Sequence, residues 1–420
     1  MGILKDASVE KKNFLLNLIE GSLYSSSGSL ISPQTVLPAL VAKLGGGNIE
    51  VGVVSVIAWV GVFLPQIFAS RYVEAHAWKK PWAIKYGLMQ RIFILLISLC
   101  LLFFGVRNPA TALWLFLILY TLNQILIGVT TPGWFEMFAK MIPTKRRGRL
   151  FGIRSSIGGL GAFFFSIALT WFLAEYAFPL SFALAFGLAF LLQAASIIVQ
   201  SSLIEEEPSP IVERKELFAY MRELPRVLRE NIPFRNFLIA TGIQILATMP
   251  MGFYTIYALS QFRADESVVG TFTLAIVAIQ VGSSLGIGYL ADRHGNKLTL
   301  IIAASALFCA NLCALFSPSL EWFTLVYIFL GVNLGTELLA RYNISIEYGP
   351  PQQRATYVGL MNTVLAPLYF VGMLGGVISN AFGYATVFAI GAIVSVVGIA
   401  FMLFKVEEPR RLHAAAHSIA

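Results

Sequence analysis

The chain has 420 residues, of which 57% are hydrophobic and 12% charged, and its net charge is +8. Soluble domains are about 45–50% apolar and about 25% charged. The composition rules out a disordered chain and argues against a soluble enzyme, because a few cores of ~150 residues have no room for so much apolar surface.

Lipid accepts helices or closed barrels, since a spanning segment finds no water for its backbone groups. The apolar runs at 92–106, 182–199, 298–316 and 386–404 are continuous. They are too long for the alternating barrel strands of about 10 residues and approach the ~20 residues of a spanning helix. The expectation is an all-α polytopic membrane protein. In chain order, breaks at Gly, Pro and charged clusters predict twelve transmembrane helices: 14–41, 49–70, 82–105, 111–139, 149–175, 179–203, 234–260, 267–291, 297–316, 321–346, 353–381 and 384–405.

Residues 204–232 are polar and proline-bounded, with Leu217, Phe218, Met221, Leu224 and Leu228 at helical spacing. They read as an amphipathic helix on the cytoplasmic membrane surface. The predicted organisation is a six-helix bundle (1–203), this linker (204–232), a second six-helix bundle (233–405) and a cytoplasmic tail (406–420).

Of the thirty Lys and Arg residues, twenty-four fall in one set of loops and ends. Three (Lys43, Arg107, Arg263) fall in the opposite set and three (Arg91, Arg154, Arg341) inside spans. The excess predicts both termini in the cytoplasm of a cell-membrane protein. Topology and anionic lipid account for the positive balance, so no nucleic-acid partner is implied.

Cys100, Cys309 and Cys313 sit in apolar runs and read as small filler, with no disulfide framework and no metal site. The first residues do not read as a removable signal peptide. No G-x-x-x-x-G-K-[ST] or H-E-x-x-H pattern occurs, and His76, His294, His413 and His417 lie in loops or the tail, so no cofactor is implied. Gly282-Ser-Ser284-Leu-Gly286 fits a nucleophile elbow by letter only. Inside a spanning helix it reads as small-residue packing, as do Gly331–Gly335 and Gly372–Gly376.

A shift of 207 places Phe116 on Phe323, Tyr120 on Tyr327, Gly128 on Gly335, Pro143 on Pro350, Arg147 on Arg354 and Gly152 on Gly359. The two halves therefore read as parallel copies.

Between predicted spans 8 and 9 runs Gly288-Tyr-Leu290-Ala291-Asp292-Arg293-His-Gly295-Asn-Lys297-Leu-Thr-Leu300. This segment resembles the signature of the major facilitator superfamily, departing from it at Asn296. The resemblance implies twelve helices in two bundles, a central cavity and alternating access. Glu347 followed by Arg354 resembles the family's acidic–basic pair between spans 10 and 11, and implies a cytoplasmic gate of Gly288, Asp292, Arg293, Gly295, Lys297, Glu347 and Arg354. The first half departs from this pattern, with Ser70 in place of the acid and Lys140 opposite Glu347.

Intramembrane charges default to functional groups. Glu20 and Arg91 lie deep in spans 1 and 3, and Glu337 and Arg341 share a face of span 10. These four are the expected proton-coupling residues, with Glu20 opposed by Arg91. Glu136 and Arg154 lie near span ends, where a functional role and a simple reach to the headgroups are equally open. Spans 1 and 7 are proline-interrupted at corresponding places, which points to a substrate cavity. Its expected lining is Tyr24, Ser26, Gln34, Asn123, Gln124, Gln244, Thr248, Tyr254, Asn333 and Asn362, with ordinary inter-helix hydrogen bonding as the competing role for each. The expected function is a monomeric secondary transporter moving a small organic solute, with protons as coupling ion. A sensor or scaffold on the same fold, or an embedded enzyme, would fit the same composition, though no catalytic set is recognisable.

Overall fold

The computed structural model describes residues 2–209, 226–349 and 354–410, without the side chains of 2–8, 67, 144, 287, 288, 292 and 354–356. Most of the predicted linker and tail therefore lies outside the described residues, including Leu217, Phe218, Met221 and Leu224. The helices are α1 (Gly2–Ser27), α2 (Val36–Lys43), α3 (Asn48–Glu74), α4 (Lys80–Phe104), α5 (Pro109–Met141), α6 (Thr144–Glu175) and α7 (Leu180–Ser201). They continue with α8 (Ile232–Ala247), α9 (Tyr254–Gln261), α10 (Ser267–His294), α11 (Asn296–Phe316), α12 (Leu320–Tyr348), α13 (Arg354–Leu365), α14 (Val371–Phe382) and α15 (Tyr384–Lys405).

Eleven segments among the described residues are long and apolar enough to cross a membrane. The predicted first span is not one of them: α1 opens in a charged stretch, and after a 3₁₀ turn at Gly28–Ile31 the non-helical residues 32–35 separate it from α2. The cause is local: a serine run has weak helix propensity, and Pro33 has no N–H to give. Pro250 and Pro367 produce the same interruption, with 3₁₀ turns at Met249–Gly252 and Ala366–Phe370. With the broken first segment counted, the chain carries the predicted all-α, twelve-helix architecture.

By contact the chain forms two compact units. Unit 1 is Met1–Gly46, Ile57–Arg214 and Asp265–Leu274; unit 2 is Gly47–Val56, Lys215–Ala264 and Ala275–Ala420. In unit 1, α4 packs on α5 and α7, and α1 packs on α6 and α7. In unit 2, α11 packs on α12 and α15, and α15 packs on α8. These are the same partnerships between duplicated helices.

The repeat extends to side chains. Phe116 and Tyr120 are buried in one unit as Phe323 and Tyr327 are in the other. Gly128 and Gly335 each let two helices touch at the backbone. A Cβ on Gly128 would strike the Val62 carbonyl of α3, and one on Gly335 would lie 2.7 Å from the Gln280 carbonyl of α10. Ser284 completes the α10–α12 contact by donating to the Gly335 carbonyl at 2.8 Å. The expected packing of Gly282 and Gly286 is not found, since both face open space. In that segment the serine, not the glycines, makes the contact.

Gly335→Val should lower the stability of the detergent-purified protein by about 1–3 kcal/mol, the range for overpacking. Gly282→Ala should stay within ~0.5 kcal/mol of the parent. Thermal unfolding of the two variants checks this; an unchanged midpoint for Gly335→Val would show that the helices separate freely.

Candidate functional site

Arg154, Gly158 and Gly161 share one face of α6. A Cβ on Gly158 would lie 2.7 Å from that of Ser25, and one on Gly161 would fall on Ser26. With no side chains between them, α1 and α6 run in close contact, and Ser26 Oγ donates to the Ser22 and Gly158 carbonyls at 2.7 and 3.3 Å. One turn back on the same face, the Arg154 guanidinium fills the space that a Cβ on Gly21 would occupy.

That placement brings Arg154 Nη2 to 3.5 Å from Glu20 Oε2. The Trp134 ring lies on the guanidinium, 4.6 Å from ring centroid to carbon. Arg154 therefore turns inward, and of the two roles open to it the reach to the headgroups is not the one found. Glu136 likewise pairs with the buried Lys79 at 2.8 Å.

Arg91 is held on every nitrogen: Nε donates to the Gln193 carbonyl at 2.7 Å, Nη1 to the Gly87 carbonyl at 2.6 Å and Nη2 to Ser196 Oγ at 3.2 Å. Its guanidinium lies over the Tyr24 ring at 5.3 Å. Ser196 in turn donates to Glu20 Oε1 at 3.3 Å. The expected Glu20–Arg91 pair is thus indirect, bridged by Ser196, while Arg154 is the direct partner. Glu20 and Arg91 are 3% and 2% exposed, so solvent screens neither. Arg154 Nη1 and Glu20 Oε2 are buried with no hydrogen-bond partner among the described residues.

In unit 2, Glu337 and Arg341 pair along α12 at 3.3 Å, and Arg341 Nη1 donates to the Tyr369 hydroxyl at 2.9 Å. This second intramembrane pair is self-contained on one helix.

Most of the expected cavity side chains are engaged in helix packing. Asn123 donates to the Gln90 carbonyl at 2.8 Å, and Gln124 to Asn123 at 3.3 Å. Asn333 donates to the Ala303 carbonyl at 2.9 Å, and Tyr254 to Asn311 at 2.9 Å. Gln244 reaches the Ser395 carbonyl at 3.4 Å, Thr248 the Ile245 carbonyl at 2.7 Å and Asn362 the Tyr342 hydroxyl at 3.4 Å. Gln34 accepts from Ser32 at 3.3 Å.

Of the expected gate, the side chains of Gly288, Asp292 and Arg354 lie outside the described residues, and Arg293 is exposed. Gly295 opens α11 at φ 90°, a left-handed conformation that suits glycine. Glu347 accepts from Asn296 and from Arg410 Nε, each at 3.2 Å.

Sequence reasoning missed Glu205 and Glu408. Each follows the last helix of its half and caps the third: Glu205 accepts the Lys80 N–H at 2.8 Å, and Glu408 the Lys297 N–H at 2.9 Å. The lysines reply, with Lys80 Nζ on the Leu203 carbonyl at 2.7 Å and Lys297 Nζ on the Leu403 carbonyl at 2.9 Å. Glu205 also accepts from Lys140 at 2.7 Å. The sequence signals were the acidic, proline-ended stretches Glu205-Glu206-Glu207-Pro208 and Glu407-Glu408-Pro409.

No group of three or more His, Cys, Asp or Glu fit for a metal occurs among the described residues. Duplicated sets of long apolar helices with charged groups at membrane depth describe a polytopic membrane protein. Residues 236–418 match the family model of the Major Facilitator Superfamily. The 4-hydroxybenzoate transporter PcaK of Pseudomonas aeruginosa is 26% identical over 208 residues, 48% of this chain and 45% of the relative. Sugar efflux transporter A of Dickeya chrysanthemi is 26% identical over 271 residues, 60% of this chain and 65% of the relative. The chain thus spans about half to two thirds of the length of these relatives. The crystal structure of a D-xylose-proton symporter superposes with a TM-score of 0.67 at 12% identity, covering 96% of this chain and 99% of that one. These likenesses make the chain similar to members of the Major Facilitator Superfamily, with the family model matching its second half.

Burial alone would push the Glu205 carboxyl up, but Lys140 and the Lys79 and Lys80 amides outweigh it and hold it below the usual carboxylate range. A carboxyl whose pKa is lowered by folding stabilises above its unfolded value, roughly 4.3, and that stabilisation is lost as pH falls through the folded value. Glu205→Gln should therefore cost about 1–3 kcal/mol near neutral pH. Melting curves of parent and variant should converge on acidification; a gap independent of pH would show that charge contributes nothing there.

Proposed function

We propose that the chain is a secondary active transporter that moves a small organic solute across the cell membrane by alternating access, coupled to protons. The observation that supports this most is Glu20: a carboxylate at membrane depth, touching Arg154 yet accepting no hydrogen bond on one oxygen. A buried carboxylate with so loose a partner can exchange a proton when the pair separates. Glu337 is tied to Arg341 on a single helix, so its separation is harder. Arg154 replaces Arg91 as the cation that opposes Glu20, with Arg91 acting through Ser196.

The named solutes of the two relatives, a hydroxybenzoate and sugars, fit a small organic cargo. Both termini in the cytoplasm and a monomeric state belong to the same reading. So does the latch of Asp292, Glu347 and Arg354, made while the cavity faces outward.

The test is flux into liposomes under an imposed pH gradient. Glu20→Gln should abolish acceleration by the gradient while leaving solute exchange without a gradient. If the variant concentrates solute as the parent does, the proton carrier is another group.

A further inference from the structure

Two guanidiniums face one carboxylate in the unit 1 cluster. Arginine keeps its proton in proteins. The cluster therefore holds an excess of one positive charge when Glu20 is ionised, and two when it is protonated. Charge at membrane depth is costly unless matched. Arg91 is fully engaged by Gly87, Gln193 and Ser196. Arg154 is not: Nη1 is buried with no partner among the described residues, and Nη2 meets Glu20 at 3.5 Å, beyond a good charge-assisted hydrogen bond. Trp134 covers the guanidinium face. Below it, one to two turns towards the start of α1, Phe14 and Leu18 pack against an apolar cluster that includes Met137, Phe138, Met141 and Leu150.

Resting on the transport reading, we infer that Arg154 is the anion subsite of this protein and that the carried solute is an organic carboxylate. A planar carboxylate matches the guanidinium fork, taking Nη1 and, once Glu20 withdraws, Nη2 as well. The charged and titratable groups facing Glu20 are Arg154 from α6, Arg91 from α4 and Tyr24 on α1 itself, with Ser196 of α7 as the polar bridge. A proton on Glu20 frees Arg154 and deepens the demand for an anion, so proton and carboxylate favour each other's binding. By linkage the coupling is mutual and of the order of tenfold. The two then travel in the same direction, which makes the machine a symporter.

The experiment uses the purified full chain and ligand-induced thermal stabilisation. Its panel is acetate, benzoate, 4-hydroxybenzoate and cis,cis-muconate, each against its neutral amide, with inorganic phosphate and sulfate as further arms. At least one carboxylate should stabilise the protein where its amide does not, and bind about tenfold tighter at pH 5.5 than at pH 7.5. Glu20→Gln should keep that binding and lose its pH dependence. Arg154→Gln should weaken it at least tenfold, and Arg154→Lys less. Gly21→Ala should act like Arg154→Gln, because the nearest atoms its Cβ would strike belong to the Arg154 side chain rather than to backbone.

The subsite is overturned if amides bind as well as carboxylates, if no carboxylate binds, if only phosphate or sulfate binds, or if Arg154→Gln and Gly21→Ala bind as the parent does. Transport is judged separately. Gradient-driven flux of a neutral sugar or nucleoside without carboxylate binding overturns the subsite and leaves the transporter reading standing. Carboxylate binding at Arg154 without flux under any gradient supports the subsite and overturns the transporter reading.

Discussion

The missing side chains at Gly21, Gly158 and Gly161 govern the chemistry of unit 1. Because α1 and α6 meet without bulk between them, Arg154 is drawn into the gap beside Glu20 rather than outward along its own helix. Once that guanidinium is inside, the rest follows from the cost of charge in a medium of low dielectric. Arg91 needs every acceptor that α4 and α7 can offer it, and Ser196 becomes the relay between Arg91 and Glu20. Packing of small residues thus decides where electrostatic imbalance resides.

The second unit repeats the scaffold and changes the charges. Helix partnerships, the buried Phe–Tyr pairs and the Gly128 and Gly335 crossings recur. The membrane-depth charges do not: among the described residues unit 2 has an internally neutral pair, Glu337 with Arg341, capped by Tyr369. Where unit 1 gathers charge, unit 2 gathers aromatic rings: Tyr254, Tyr257, Phe323, Tyr384 and Phe388 pack together.

Fold class and helix positions were legible because lipid imposes long apolar runs, and prolines mark where those runs must break. The depth of Glu20 and Arg91 was legible for the same reason. Their partners were not. Arg154 follows the basic run 145–149 closely enough to read as an interfacial residue, and only the glycines four and seven positions on, against Gly21, reveal that its face turns inward. The hydrogen bonds of the polar residues assigned to a cavity were hidden in another way. A sequence shows that Asn123 or Asn333 can bond but not that a neighbouring helix presents a carbonyl at 2.8–2.9 Å. Glu205 and Glu408 escaped because they are not 207 apart, so the alignment that exposed the repeat slid past them.

The two end clamps share a geometry but carry opposite polarity. In unit 1 a base on α5, Lys140, holds the acid Glu205; in unit 2 an acid on α12, Glu347, is held by the base Arg410. A chain whose halves are copies risks docking a closing segment on the wrong copy while it folds. The inversion opposes one form of that error: Glu205 and Glu408 are alike in charge, but Arg410 brought to unit 1 would meet Lys140. Repulsion between those like charges favours the last segment on its own bundle, so the second half carries its address in the sign of a single side chain.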